Sequence, residues 1–286
     1  MSSAQSLTPV GLLPLPRPLM TGEVLDAAFR LFRAGLVRCL PYSGLAVLVM
    51  ELPALYATFL ASLQFGPNDQ RFGVQPAHLV TWLLVVLLST ALIGMLTLRL
   101  YAVSRGARPR FRAELGTALR RLPAALIATA GALGFPLLLL FLAPLFSNAL
   151  PKVAFLVVWL PLSWPVALFV VALPAFWCDG LGPFAAVAQA VRISRRRSWR
   201  MVGALLATLC MVAVFYVLSA MLVAVMSPIL GRADLLLIAT VSSLLSLVVG
   251  TLGVPFVLAM LIVAYEDLKL RELERRDSPG GSRAAP

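Results

Sequence analysis

Glu51 is the one acidic residue within a long apolar stretch, LAVLVMELPALYATFL. If this stretch crosses a membrane, a carboxylate at that depth costs about 2.5–3.5 kcal/mol when it faces lipid. We therefore expect Glu51 to face other helices, either protonated or hydrogen-bonded to a hydroxyl group. Two interpretations stay open: a proton or cation site in a transport path, or a buried glutamic acid that ties helices together. The hydroxyl groups expected at a similar depth are those of Ser89, Thr90, Ser163, Ser242, Ser243 and Ser246.

The second stretch whose residues could form a binding site is CDGLGPFAAVAQAVRISRRRSWR, residues 178–200. On a helical wheel, Phe184, Val187 and Val191 fall on one side, and most of the arginines fall on the other. This pattern is typical of a helix that lies on a membrane surface, where each basic residue near an anionic leaflet contributes about 1 kcal/mol. We therefore predict contacts with anionic lipid headgroups and not with nucleic acid. The residues of this cluster are Asp179, Arg192, Arg195, Arg196, Arg197, Trp199 and Arg200.

A similar amphipathic pattern precedes two other apolar stretches. GEVLDAAFRLFRAGLVR carries Arg30, Arg33 and Arg38, and RFRAELGTALRRLPAAL is a weaker copy. The chain can be divided into three units, each a surface helix followed by a two-span hairpin. True internal repetition and chance similarity in an arginine-rich membrane protein both remain open. We also expect Asp179 and Asp267 to form ion pairs that hold the surface helices to the bundle.

The overall composition places these elements in a membrane. Apolar residues make up 60% of the 286 residues, charged residues only 13%, and the mean hydropathy is +0.94. A soluble protein needs a more polar surface than this chain supplies. Six stretches reach the roughly 20 residues that a helix needs to cross the hydrocarbon core. These predicted spans are 42–64, 79–101, 123–146, 152–177, 201–226 and 236–262.

The distribution of basic residues predicts the orientation of the spans. Of the 24 lysines and arginines, 21 fall in one alternating set of connecting segments and 3 in the other. This asymmetry predicts that both termini are cytoplasmic. The 22 arginines against 2 lysines suggest a GC-rich bacterial genome, hence the bacterial inner membrane. We expect a flexible leader at 1–20, a single six-span domain at 21–272, and a disordered tail at 273–286.

Residues that could support catalysis are scarce. The only histidine, His78, is predicted at the outer boundary of a span, and the three cysteines have no paired spacing. Motifs for phosphate binding, a serine nucleophile or a zinc protease are missing from the sequence. We therefore predict no catalytic, metal or cofactor site.

Two stretches carry a resemblance to a known family. The pattern of Asp179, Arg192, Trp199 and Arg200 resembles the region after the fourth span in YciC-type membrane proteins. A related membrane domain accompanies some glycerophosphoryl diester phosphodiesterases. The ending PFVLAMLIVAYEDLKLRELERRD resembles the last span of the same family. The resemblance implies six spans with a helix before each hairpin, in a family of mostly unknown function. It does not imply phosphodiesterase chemistry, which belongs to a separate soluble barrel.

Together these patterns predict an all-α, polytopic membrane bundle of six spans, with three amphipathic helices on the cytoplasmic face. The expected function is that of a scaffold or accessory subunit without catalytic machinery, linked to envelope or lipid homeostasis. Its expected partners are anionic lipid headgroups and either another membrane protein or a second copy of the chain. The alternative is a small-molecule or lipid transporter with Glu51 in its path.

Overall fold

The structure is a computed structural model, and it describes residues 13, 15, 17–63, 76–107, 110–146, 172–194, 198–230 and 235–277. Within these ranges the protein is all-α, with seven helices. Residues 172–177 are the described part of α4. The other helices are α1 (Thr21–Leu63), α2 (Pro76–Ser104), α3 (Phe111–Phe146), α5 (Pro183–Ser194), α6 (Ser198–Leu230) and α7 (Leu235–Asp277).

Among the described residues, three helical segments are long and apolar enough to cross a membrane, judged by length and composition. They are Thr21–Pro53 in α1, Leu83–Ser104 in α2 and Thr240–Glu274 in α7. These segments overlap the predicted spans 42–64, 79–101 and 236–262. The predicted spans 123–146 and 201–226 fall within α3 and α6. Most of the predicted span 152–177 lies outside the described residues.

The predicted surface helices differ in one respect from the structure. The predicted helices GEVLDAAFRLFRAGLVR and RFRAELGTALRRLPAAL are not separate helices, because α1 and α3 continue from these amphipathic beginnings directly into the apolar stretches. Pro41 lies inside α1 and does not end it. The apolar stripe of this part of α1 packs partly against α7: the rings of Phe29 and Phe32 lie 5.1 Å and 5.6 Å from the ring of Phe256, while Phe29 stays 42% exposed. Packing against α7 therefore stabilises a helix that proline alone would weaken.

The two longest helices, α1 and α7, form the centre of the bundle and run antiparallel. Near one end Phe29 contacts Phe256, and further along Ser43 Oγ donates a hydrogen bond to the carbonyl of Thr251 at 2.8 Å. A Cβ atom at Gly250 would lie 2.8 Å from Val47, so the two backbones approach closely there. Helix α2 packs against α1 and α3, and α6 packs against α7.

Part of the predicted leader contacts the bundle specifically. Leu13 and Leu15 are buried, at 5% and 8% exposure, and they join a core cluster with α1, α2 and α7. The remaining leader residues, 1–12, 14 and 16, lie outside the described residues. At the other end of the chain, α7 extends to Asp277 and so includes the first residues of the predicted tail.

Candidate functional site

Most of the interacting charged groups that the structure describes lie at one end of the bundle. Here α2, α4 and α7 end, α3 begins, and α5 crosses. We call this region the polar junction. Its residues are Arg99, Glu114, Arg121, Asp179, Gln189, Tyr265, Asp267, Lys269 and Arg271.

Asp179 links three elements in the polar junction. Its carboxylate accepts a hydrogen bond from the Tyr265 hydroxyl at 2.6 Å and pairs with Lys269 Nζ at 2.9 Å. The Tyr265 oxygen in turn accepts a hydrogen bond from Gln189 Nε2 of α5 at 2.8 Å. Charge-assisted bonds of this kind are the stronger ones in proteins. The carboxylate is thus ion-paired, with a lysine of α7 as its cation, and the tie to α5 passes through Tyr265 and Gln189.

Arg121 of α3 caps the end of α4. Its Nη1 donates hydrogen bonds to the carbonyls of Phe176 and Trp177, at 3.2 Å and 3.0 Å. These carbonyls belong to the last turn of a helix, where no backbone donor is available and a positive charge is favourable. Gly180 follows with φ of +73°, and a Cβ there would lie 2.6 Å from the Arg121 guanidinium. A glycine therefore suits both the left-handed conformation and the close approach.

Arg99 and Glu114 form a buried ion pair between α2 and α3. Arg99 Nε lies 3.0 Å from Glu114 Oε2, and both side chains are only 9% exposed. The guanidinium also donates to the carbonyl of Arg38 and lies 4.2 Å from the centre of the Tyr42 ring. The second oxygen of Glu114 has no hydrogen-bond partner among the described residues. One arginine therefore joins α1, α2 and α3.

Asp267 and Arg271 hold the segment that precedes α1. Their side chains form an ion pair at 2.9 Å, one helical turn apart on α7, at 4% and 15% exposure. Asp267 Oδ1 accepts a hydrogen bond from the backbone N–H of Leu19 at 2.7 Å, and Arg271 donates to the Leu19 carbonyl. Asp267 is thus ion-paired with its own helix and fixes the entry of the chain into α1.

The thiol of Cys178, next to Asp179, has little chemical reactivity in this setting. Burial, together with the negative charges of Asp179 and Glu266, raises the pKa of Cys178 above its ordinary value. A protonated thiol is a poor nucleophile and a poor metal ligand. Within the described ranges, no group of three or more His, Cys, Asp or Glu residues is arranged to hold a metal ion.

The other arginines of the predicted lipid-binding cluster face outward where the structure describes them. Arg30, Arg33, Arg38 and Arg192 are exposed, and the nearest acidic group to Arg30 is Asp26 at 3.6 Å. Residues 195–197, and the side chains of Trp199 and Arg200, lie outside the described part of the chain. Residues 183–194 form α5, and Trp199 and Arg200 belong to the first turn of α6.

Helix α5 packs through its small residues and exposes its large ones. Ala186 and Ala190 are buried, at 1% and 0% exposure, against α3, α4 and α7. Phe184, Val187 and Val191, the side of the helix predicted to be apolar, are exposed at 81%, 36% and 40%. An exposed apolar stripe beside Arg192 is the arrangement of a helix at a membrane surface.

Glu51 lies away from the polar junction. Its side chain is half-buried in α1, one turn beyond Val47, and Val47 contacts Gly250 of α7 beside the Tyr216 hydroxyl of α6. That hydroxyl lies 3.4 Å from the position of a Cβ at Gly250. Glu51 therefore sits near the meeting point of α1, α6 and α7, and Gly250 is about 25 Å along α7 from Asp267. The hydroxyl near Glu51 belongs to Tyr216, which is not among the serine and threonine hydroxyl groups predicted at that depth.

Of the nine residues of the polar junction, the sequence predicts contacts only for Asp179 and Asp267. Arg99 had a detectable signal, since it lies inside the predicted span 79–101 and a charge within a span needs a partner. Arg121 is predicted only as part of the basic side of a surface helix, and Lys269 only as a basic residue of a connecting segment. Gln189 carried no sequence signal, because its role depends on the position of Tyr265.

Comparison with protein-family models, curated proteins and solved structures finds no match to this chain.

Proposed function

We propose that the protein is a non-catalytic scaffold or accessory subunit of the bacterial inner membrane, with six spans and both termini cytoplasmic. In this proposal it serves envelope or lipid homeostasis, as the resemblance to YciC-type proteins suggests. The observation that supports it best is that the charged groups of the polar junction are bonded to one another and to the backbone. Asp179, Asp267, Arg99 and Arg121 are all bonded to other parts of the chain, so they stabilise the fold.

Anionic lipid headgroups are the proposed ligands of the exposed arginines. Arg30, Arg33, Arg38 and Arg192 are exposed, and the apolar stripe of α5 is exposed beside Arg192. A basic face next to an apolar stripe suits the boundary between headgroups and acyl chains. With the polar junction on the cytoplasmic side, these arginines would meet the anionic inner leaflet.

The lipid part of the proposal can be tested by measuring phospholipid that remains with the purified protein. The triple variant Arg30→Gln, Arg33→Gln, Arg38→Gln should retain less anionic phospholipid per mole of protein than the unmodified chain. The matched control is Arg232→Gln, in a segment predicted to lie on the opposite side, which should retain the same amount. Equal retention by the triple variant and the control would contradict headgroup binding at these arginines.

The scaffold part can be tested by purification from its own membrane. A tagged chain should retain a defined membrane protein through detergent, in a stoichiometric ratio and in repeated preparations. Weakening α5 contacts with Phe184→Ser should lower the yield of that partner without lowering the yield of the tagged chain. A chain that purifies alone in several mild detergents would contradict the scaffold proposal.

A transporter is the second candidate, and the position of Glu51 favours it. Glu51 is half-buried one turn beyond Val47, at a place where α1 and α7 approach closely. A cavity of about 260 Å³, which is lined by the neighbouring residue Met50, does not support this role. Its lining, from Met50 and Ser89 to Trp177, is mostly apolar and includes no charged side chain among the described residues.

In proteoliposomes under a pH gradient, a transporter should carry protons, and Glu51→Gln should abolish this flux with unchanged expression. Equal flux in both proteins would exclude this role for Glu51.

A further inference from the structure

The residues before α1 form a strap that crosses the polar junction without helical structure. We use the name strap for residues 13, 15 and 17–19. At one end, the backbone N–H of Leu13 donates to the carbonyl of Ser104, the last residue of α2, at 2.9 Å. At the other end, both backbone polar groups of Leu19 are bonded to the Asp267–Arg271 pair. The strap is therefore held by its main chain, in the manner of a bound peptide.

The side chains of the strap enter an apolar groove. Leu13 and Leu15, two residues apart, are buried against Leu31 of α1, Leu100 of α2 and Val263 of α7. Main-chain bonds combined with pockets for alternate side chains are the usual elements of peptide recognition.

The strap does not fill the groove. A cavity of about 340 Å³ remains between Leu13, Leu15 and the α1 residues Ala27 and Leu31. Its rim carries Glu23, which accepts hydrogen bonds from Arg17 of the strap and from the N–H of Met20. The exposed Asp26 and Arg30 also line this cavity, so it opens to the surface beside the strap. The groove therefore has room for side chains larger than leucine.

From these contacts we propose that the strap is an exchangeable intramolecular ligand of a peptide-binding groove. The partner is an extended segment of another protein, with apolar side chains two residues apart and at least one larger than leucine. The strap occupies the groove until that segment displaces it. The inference rests on the proposed scaffold function, because it names the surface by which a partner is bound.

Peptide binding to the full chain in detergent tests the exchange. The probe is a fluorescent peptide of residues 10–20, VGLLPLPRPLM, and a second peptide has phenylalanine at the positions of Leu13 and Leu15. The chain with Leu13→Asp and Leu15→Asp frees the groove without changing its walls. It should bind the first peptide at least tenfold more tightly than the unmodified chain does, and the second peptide more tightly still. Adding Asp267→Ala to that chain removes the acceptor of the Leu19 N–H and should reverse the gain. Equal binding by both chains, or no binding by a folded variant, would overturn the proposal.

Hydrogen exchange of the unmodified chain gives an independent answer should the aspartate variant fail to fold. If the strap opens on its own, the amides of Leu13 and Leu19 should exchange at least a hundredfold faster than amides in the centre of α7. Equal rates would make the strap a fixed part of the fold and overturn the exchange. A partner that co-purifies while the strap stays closed would retain the scaffold function and reject only this groove.

Discussion

The acidic residues of this protein differ in what their carboxylates contact, and this difference predicts which carboxylates contribute to the free energy of unfolding. Asp179 is 18% exposed in its side chain, pairs with Lys269 and accepts a hydrogen bond from Tyr265. Asp26 is 76% exposed and lies 3.6 Å from Arg30, one turn away on the same helix. Exposed pairs of the second kind contribute little, since water and salt screen them.

We expect Asp179→Asn to lower the free energy of unfolding by about 1–3 kcal/mol, because Lys269 loses its anion and the link to α5 weakens. Asp179→Arg should cost more, since it places two cations side by side. The control Asp26→Asn should change stability by less than about 0.5 kcal/mol. Denaturation in a single detergent, followed by tryptophan fluorescence, compares the three variants. Equal stability of Asp179→Asn and Asp26→Asn would contradict a structural role for Asp179.

Gly94 illustrates a residue whose importance comes from the space around it. A Cβ at Gly94 would lie 2.4 Å from two ring carbons of Trp177, so the indole rests on the backbone of α2. Gly94→Ala should therefore destabilise the protein by about 1–3 kcal/mol through overpacking. Gly116, in α3, has no atom within 4 Å of such a Cβ. Gly116→Ala should be neutral or stabilising by up to about 1 kcal/mol, because alanine favours a helix. We expect Gly94→Ala to lower the melting temperature and Gly116→Ala to leave it unchanged or raise it. A similar decrease in both variants would contradict the contact between Gly94 and Trp177.

At the scale of the helices, the ends of α2 and α3 are joined by the buried Arg99–Glu114 pair. Removing one partner leaves a buried charge alone, so Glu114→Leu or Arg99→Met should cost about 3–5 kcal/mol. Replacing both, as Arg99→Met with Glu114→Leu, should recover most of that loss, since no charge is left buried. A double-mutant cycle of unfolding free energies measures the coupling. Additive losses in the double variant would show that the two side chains act independently.

The positions of the apolar helices could be predicted from sequence because hydrophobic length alone defines them. The segments 42–64, 79–101 and 236–262 each overlap a helix that is apolar enough to cross a membrane. The continuity of α1 through Pro41 could not be predicted, since it depends on packing against α7. Likewise, the partners of Asp179 and Asp267 on α7 follow from three-dimensional position. The topological pattern of the arginines does not distinguish Arg99 and Arg121, which bond to other helices, from the exposed arginines.

At the scale of the whole molecule, the central pair of helices is longer than a bilayer is thick. Helices α1 and α7 each have 43 residues, a length of about 65 Å, against about 30 Å for the hydrocarbon core. Since the strap, Asp267 and Lys269 lie at one end of this pair, the excess length extends toward the polar junction. The exposed Arg30 and Arg33 lie on this extension, where in the proposed orientation water and headgroups would reach them.

Reporter fusions test the arrangement of the spans along the whole chain. If six spans cross the membrane, fusions after Ala107, Gly182 and Pro286 should give fluorescent green fluorescent protein and inactive alkaline phosphatase. Fusions after Asn148 and Gly231 should give the reverse, because these segments contain few of the basic residues that are retained in the cytoplasm. Equal expression of each fusion pair on immunoblots is the control. The fusions after Asn148 and Gly182 are the most informative, since they bracket the predicted span 152–177. If both report the same side, that stretch does not cross, and the termini predicted to share the cytoplasmic face must be reassigned.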